Sequence, residues 1–284
     1  MNLKTKAETL RALHAGSRIL VLVNAWDVVS ARLVEAAGAP AVATTSAGVA
    51  NVLGYADGQK IPRGVMVEAA RRIARAVEVP VTADAEAGYG PTPGDAAETT
   101  RQLLAAGVVG MNFEDGTGDP AAPLMAVEPQ VARIRAIRQA AAAADVPFVL
   151  NARTDVFLDT VGEPQTRFNE TVRRANAYRE AGADCLFVPG VADASVIAEL
   201  VRAIRGPLNI LAGPGAPAVA ELERLGVARV STGSAFMRAC FTKARDVARD
   251  IFAGGSWESL LDGTIPYREM NELVGERSDA GSAR

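Results

Sequence analysis

Four acidic side chains, Asp57, Asp84, Glu86 and Glu114, lie in or beside segments that directly follow short runs of apolar residues. Nothing in the set is a histidine or cysteine; the chain's one histidine is His14 and its two cysteines are Cys185 and Cys240. Carboxylates brought together repel one another unless a proton or a cation offsets them. A ligand set made only of oxygens suits Mg2+ or Mn2+ rather than Zn2+. Asp84 and Glu86 are two residues apart, a spacing that sends both side chains to one side of an extended strand. Taken singly, each acid reads equally well as a helix cap or as half of a surface ion pair. Taken as a set, they favour a metal centre.

Arg153 follows another such run and is the one arginine or lysine at these positions. A guanidinium there can hold a carboxylate in a fork, or stabilise a developing enolate oxygen. Its bland alternative is a salt bridge to Glu114 or Asp155. Thr45, Ser46 and Ala47 offer backbone N–H groups and hydroxyls to an anion, although such clusters also make ordinary turns. Trp26 either lines the pocket or packs in the core. Asp27 reads as a helix N-cap, Cys185 and Cys240 as buried small hydrophobes, and His14 as part of a leading helix away from the site.

The elements that must position these residues alternate along the chain. Eight apolar runs, at Ile19–Val23, Ala41–Thr44, Pro80–Ala83, Val108–Phe113, Pro147–Leu150, Cys185–Val188, Leu208–Leu211 and Ala228–Val230, are short and nearly continuous. That is the signature of parallel strands covered on both faces. Helical spacing lies between them, as at Val131, Ile134, Ile137 and Ala141. Thr92-Pro93-Gly94-Asp95 spells a helix start, and glycine follows helix ends at Gly38, Gly107 and Gly182. Eight runs in 284 residues give one strand–helix unit per about 36 residues, the spacing of a (β/α)8 barrel. A doubly wound sheet is disfavoured, because the first run leads into Asn24-Ala25-Trp26-Asp27 and not into a glycine-rich turn. The expected organisation is one barrel domain over 1–284, with an N-terminal helix, a helical extension at about 234–274 and a frayed polar tail at 276–284. Catalytic residues of such barrels lie at the C-terminal ends of strands, where the acids and Arg153 fall.

Composition narrows the function. Thirty basic and thirty-three acidic residues give a formal net charge of −3, without the basic excess of a nucleic-acid binder. Two cysteines cannot build a disulfide framework. No segment has the length or pattern of a signal peptide or a membrane span. A cytoplasmic protein with neither nucleic-acid nor membrane partners is expected.

The chain also resembles a known family. Asp84-Ala85-Glu86-Ala87-Gly88-Tyr89-Gly90 is similar to the metal loop of the isocitrate lyase/phosphoenolpyruvate mutase superfamily. Glu114-Asp115 and Ala152-Arg153 match in order and spacing, and Thr45-Ser46-Ala47, followed by Leu53-Gly54 and Asp57, resembles the family's cradle for a 2-oxo acid carboxylate. The resemblance runs from Asn24 to about Gly190. It implies a TIM barrel whose last helix is exchanged between subunits of a dimer or tetramer. It also implies Mg2+ at Asp57, Asp84, Glu86 and Glu114, and a small 2-oxo acid held by Trp26, Thr45, Ser46, Ala47 and Arg153. Departures define the subtype. The lyases' Lys-(Lys/Arg)-Cys-Gly-His loop is replaced by residues 116–127, which contain no cysteine, histidine or lysine. The mutases' Glu-Asp-Lys and Lys-Thr-Asn-Ser pieces are missing, and Pro189 stands where a mutase has histidine. The expected activity is therefore an Mg2+-dependent carbon–carbon lyase or decarboxylase acting on an oxaloacetate-like substrate, with Arg153 and Glu114 at the reacting bond. The alternatives are a phosphonopyruvate-type P–C hydrolase or mutase, with Thr117 supporting the attacking group, and a non-catalytic 2-oxo acid binding protein. A phosphate site at 212–215 and 231–234 is a further, weaker alternative.

Overall fold

All eight apolar runs become strands, and in the computed structural model, which describes residues 1–275, they close into a barrel. The first run gives β1 (Leu20–Leu22), and past Val23 the same strand resumes as β2 (Asn24–Ala25). The others are β3 (Val42–Thr44), β4 (Val81–Asp84), β5 (Gly110–Glu114), β6 (Val149–Arg153), β7 (Cys185–Val188), β8 (Leu208–Leu211) and β9 (Arg229–Ser231). Neighbours pair in parallel in the order β1-β9-β8-β7-β6-β5-β4-β3-β2. Because β1 and β2 are consecutive pieces of one strand, the sheet meets itself there and forms a (β/α)8 barrel. The Asn24 side chain bridges the seam: its Oδ1 accepts from the N–H groups of Thr232 (3.0 Å) and Gly233 (2.9 Å), and its Nδ2 donates to the Thr44 carbonyl at 2.7 Å. The tail at 276–284 lies outside the described residues.

Local chemistry sets the helix ends. Asp27 caps α2 (Val28–Ala36) by accepting the Ser30 N–H at 2.7 Å. Thr92 and Asp95 form a reciprocal capping box at the start of α5 (Pro93–Ala105). The Ala-Gly junctions fall just past helices, with Gly107 at φ +88°. Ile73 of α4 (Arg63–Ala76), Leu103 of α5, Ile134 of α6 (Val127–Ala143) and Tyr178 of α7 (Pro164–Glu180) bury against strand residues such as Val81, Met111, Leu150 and Leu186. Each such apolar side chain contributes about 1.5–3 kcal/mol. The barrel floor is closed by α1 (Leu3–Ala15), whose Ala7 and Leu10 pack on Leu20, Leu22, Val109 and Val149. Gly110 permits this entry: a Cβ there would stand 2.9 Å from both Leu10 Cδ2 and the Val149 carbonyl.

Beyond β9 run α10 (Ala235–Phe252), α11 (Glu258–Leu261) and α12 (Tyr267–Val274). This extension matches the expected span but is thinly packed: Met237 is the buried residue of α10, while Phe252, Trp257, Leu261 and Tyr267 are exposed. Cys240 is accordingly exposed, which corrects the expectation that it is buried; Cys185, on β7, is buried. Apolar spacing along α10 cannot say whether its own barrel covers that face. No helix among the described residues is long and apolar enough to cross a membrane.

Candidate active site at the barrel mouth

Strands β4, β5 and β6 stop side by side at Asp84, Glu114 and Arg153, with Asp84 in register with Asn112 and Glu114 with Arg153. The register puts the Arg153 guanidinium between two carboxylates: Nη1 is 2.7 Å from Glu114 and Nε 2.5 Å from Asp155. The Phe187 ring centroid is 5.8 Å away. Burial works against the arginine's charge, but Glu114 and Asp155 more than offset it and hold Arg153 firmly protonated. Burial pushes the Glu114 carboxyl well above the usual carboxylate range, with Arg153 pulling the other way. The same opposition leaves Asp155 pushed up to about 6. The salt bridge, one of the two alternatives read from the sequence for Arg153, is thus present to both Glu114 and Asp155, and it lies at the mouth.

The support beneath this pair is largely illegible in the sequence. Asp155 donates its backbone N–H to Asp115 at 3.0 Å. The fully buried Asp115 also accepts from the Tyr178 hydroxyl (2.7 Å) and from Arg174 (3.1 Å), both on α7. Asp115 therefore fixes the neighbouring strand end and does not face the mouth.

Asp84 accepts the Ser46 N–H at 3.2 Å through Oδ2, while its Oδ1 is buried without a hydrogen-bond partner among the described residues. Glu86 departs from the expected geometry. The strand ends at Asp84 and Glu86 takes φ +49°, so the two-residue spacing does not make the acids parallel neighbours. Its Oε1 accepts the Tyr89 hydroxyl at 2.9 Å and its Oε2 accepts the Gln59 N–H. Burial raises the Glu86 carboxyl to about 7, against the Gln59 N–H and with the help of the Asp84 charge. Asp57 is exposed, yet close enough for its charge to act on Glu86 and Tyr89. Among the described residues no group of three or more His, Cys, Asp or Glu side chains is drawn together as a ready ligand cage. The orphaned Asp84 oxygen, in an all-oxygen neighbourhood, is the feature that suits a hard divalent cation.

Thr45 and Ser46 start α3 (Ser46–Val52) and are buried beside Asp84, with Ala47 half-buried next to them. Two of their N–H groups already have partners, Thr45 on the Ala25 carbonyl (3.0 Å) and Ser46 on Asp84. Trp26 packs against Phe236 and Phe241, at ring centroid distances of 5.5 and 6.0 Å. A Cβ on Gly48 would come within 2.8 Å of Trp26, so this glycine lets α3 press on the indole. Thr117 is exposed: its hydroxyl donates to the Ala122 carbonyl at 2.6 Å, and Gly116 bridges to Leu124, making residues 116–124 a self-bonded hairpin. At the last strand, the N–H groups of Thr232 and Gly233 belong to Asn24, which removes the donors a phosphate site there would use.

Known proteins resemble the chain in sequence and fold. The chain matches the family Phosphoenolpyruvate phosphomutase over residues 10–252. It is 37% identical to an uncharacterized protein of Mycobacterium tuberculosis over 260 residues, 91% of this chain and 93% of that one. It is 31% identical to oxaloacetate decarboxylase of Pseudomonas aeruginosa, covering 84% of this chain and 83% of that one. Among solved structures, a Burkholderia cenocepacia protein superposes with a TM-score of 0.90 at 37% identity over 97% of each chain. A phosphonopyruvate hydrolase in complex with oxalate and Mg2+ superposes with a TM-score of 0.81 at 28% identity over 94% of each chain. With a closed barrel and a family match across most of its length, the chain belongs to the phosphoenolpyruvate phosphomutase family, within the PEP mutase/isocitrate lyase superfamily.

Proposed function

We propose that this protein is an Mg2+-dependent lyase that binds a small 2-oxo acid and stabilises its enolate, with decarboxylation of an oxaloacetate-like substrate as the reaction. The observation that carries this reading is the half-buried Arg153–Glu114 pair beside the unpartnered oxygen of Asp84. Asp84, with Glu86, Glu114 and Asp57, would hold Mg2+ or Mn2+, whose positive charge would polarise the 2-oxo acid oxygens. Thr45, Ser46 and Ala47 receive the substrate carboxylate at the start of α3, and Trp26 walls that side. Arg153 donates to the oxygen on which negative charge develops, and an anionic substrate competes with Glu114 for it. As the distal carboxylate leaves as CO2, its bonding electrons pass into the enolate. Water then protonates carbon, so the reaction needs no acid from residues 116–127. Pyruvate formation from oxaloacetate, measured with and without Mg2+, tests the reading. Asp84→Ala is expected to lower turnover at least a hundredfold, and unchanged turnover would overturn it.

Phosphonopyruvate hydrolysis is the second reading, favoured by the likeness to the phosphonopyruvate hydrolase structure. It predicts phosphate release from phosphonopyruvate that is lost in Thr117→Ala. The engagement of the Thr117 hydroxyl within its own hairpin weighs toward the carbon–carbon reaction. We also read the C-terminal extension as the element exchanged in a homo-oligomer, because Phe252, Trp257, Leu261 and Tyr267 are exposed. A monomer in sedimentation at micromolar concentration would refute that.

A further inference from the structure

Five non-glycine residues among those described have φ in the left-handed region, and three of them, Gln59, Glu86 and Tyr89, are bonded to one another at the mouth. Such conformations persist only where surrounding contacts over-determine them. Here the contacts cross between two loops. The Gln59 N–H donates to Glu86 Oε2, the Gln59 side-chain carbonyl accepts the Tyr89 N–H at 2.6 Å, and the Tyr89 hydroxyl donates to Glu86 Oε1 at 2.9 Å. Arg63, at the start of α4, braces the ring from outside by donating to the Tyr89 carbonyl at 2.7 Å. The segment that carries Asp57 is otherwise exposed from Asn51 to Gly58. The hairpin at 116–124 differs, being bonded to itself through Thr117, Ala122 and Pro123.

We propose that Gln59 is a positioning residue: its main-chain N–H and side-chain amide fasten the Asp57 loop to the Asp84–Gly90 loop and so fix where Asp57 and Glu86 stand over the mouth. Gln59 itself touches no reacting atom. Its importance for catalysis rests on the proposed reaction, whereas the latch itself does not.

Hydrogen exchange on the full-length protein without substrate tests the latch directly. In Gln59→Ala, which removes the acceptor of the Tyr89 N–H, exchange at residues 53–60 and at Tyr89 should rise about five- to tenfold. Exchange in the barrel strands should stay as in the parent, which shows that the variant folds. Tyr89→Phe should loosen the same segments, and Lys60→Ala should not. Parental exchange in Gln59→Ala would overturn the proposal. So would parental exchange in Gln59→Gly, because relief of the positive φ would then be all that matters. With oxaloacetate and Mg2+, Gln59→Ala should raise KM at least fivefold and lower kcat less than that. If the parent does not turn over oxaloacetate, the proposed function fails while the exchange result still decides the latch.

Discussion

Two arginines of the same barrel, one half-buried and one fully buried, live in opposite surroundings. Arg153, at the mouth, is clamped by Glu114 and Asp155. Arg229, on β9, is fully buried, and among the described residues no carboxylate lies within salt-bridge distance of it. Its donors reach Asn112 Oδ1 at 3.2 Å and His14 Nε2 at 3.4 Å. Burial lowers Arg229 to about 10, softened by the neighbouring Cys185 sulfur and the Asp84 charge, while the carboxylates around Arg153 reverse the same penalty. A guanidinium with two anionic partners is poised for exchange with an anionic ligand. One held by a neutral amide and an imidazole is a space-filling plug. The tautomer of that imidazole follows from its contacts: His14 Nδ1 lies 2.8 Å from the Leu10 carbonyl, which can only accept, so Nε2 is left to accept from Arg229.

The sharpest break in this comparison is to truncate each arginine to methionine. Arg153→Met should lower kcat/KM for oxaloacetate a thousandfold or more, about 4 kcal/mol. It should also cost about 3–5 kcal/mol in urea unfolding at neutral pH, because Glu114 and Asp155 would be left buried without their counter-charge. Carboxyls raised in the folded state contribute their stability at low pH and lose it as pH rises through the folded value. The deficit of Arg153→Met should therefore shrink as pH is lowered toward 5.

His14 supplies the next effect, with the opposite sign. Burial, then the Arg229 charge, lowers it to about 4. The folded protein refuses a proton that the unfolded chain accepts at its ordinary value near 6.5, so this stability is present above 6.5 and is lost as pH falls toward 4. The whole effect is about 3 kcal/mol. Unfolding of the parent minus that of His14→Gln, followed from pH 7 to pH 4, should show this slope; parallel curves would mean that His14 titrates freely. The smallest effect belongs to Arg229→Met. It should change stability by less than about 2 kcal/mol, in either direction, since an apolar chain of similar length can replace a buried charge. Activity should fall less than tenfold. Equal losses for the two arginine variants would erase the distinction between them.

Legibility followed the range of the interactions involved. Strand runs, the Asp27 and Thr92 caps and the glycine junctions rest on a few adjacent residues, and each is where the sequence places it. The side-by-side meeting of Asp84, Glu114 and Arg153 also follows, since parallel strands in chain order bring their ends together. Glu86 did not follow, because alternation of side chains holds only while the strand continues, and it ends two residues earlier. Gln59 and Tyr178 carry no local signal, and the Glu114-Asp115 match does not reveal what Asp115 holds; each acts through partners 27 to 63 positions away in the chain. Cys240 was misread because a helix that exposes its apolar side has the same pattern as one that buries it.

The seam at Asn24 bears on how the chain is made. Asn24 leaves the ribosome well before the donors it binds, on Thr232 and Gly233, which are 208 and 209 residues further on. At 5–20 residues per second this separation is about 10–40 s of synthesis. Throughout that interval β2 can pair with β3, but β1 has no β9 to pair with. An unfinished chain therefore carries one open strand edge that only the last barrel unit can cover, and the Thr44 carbonyl beside the mouth is settled on Asn24 when that final piece arrives.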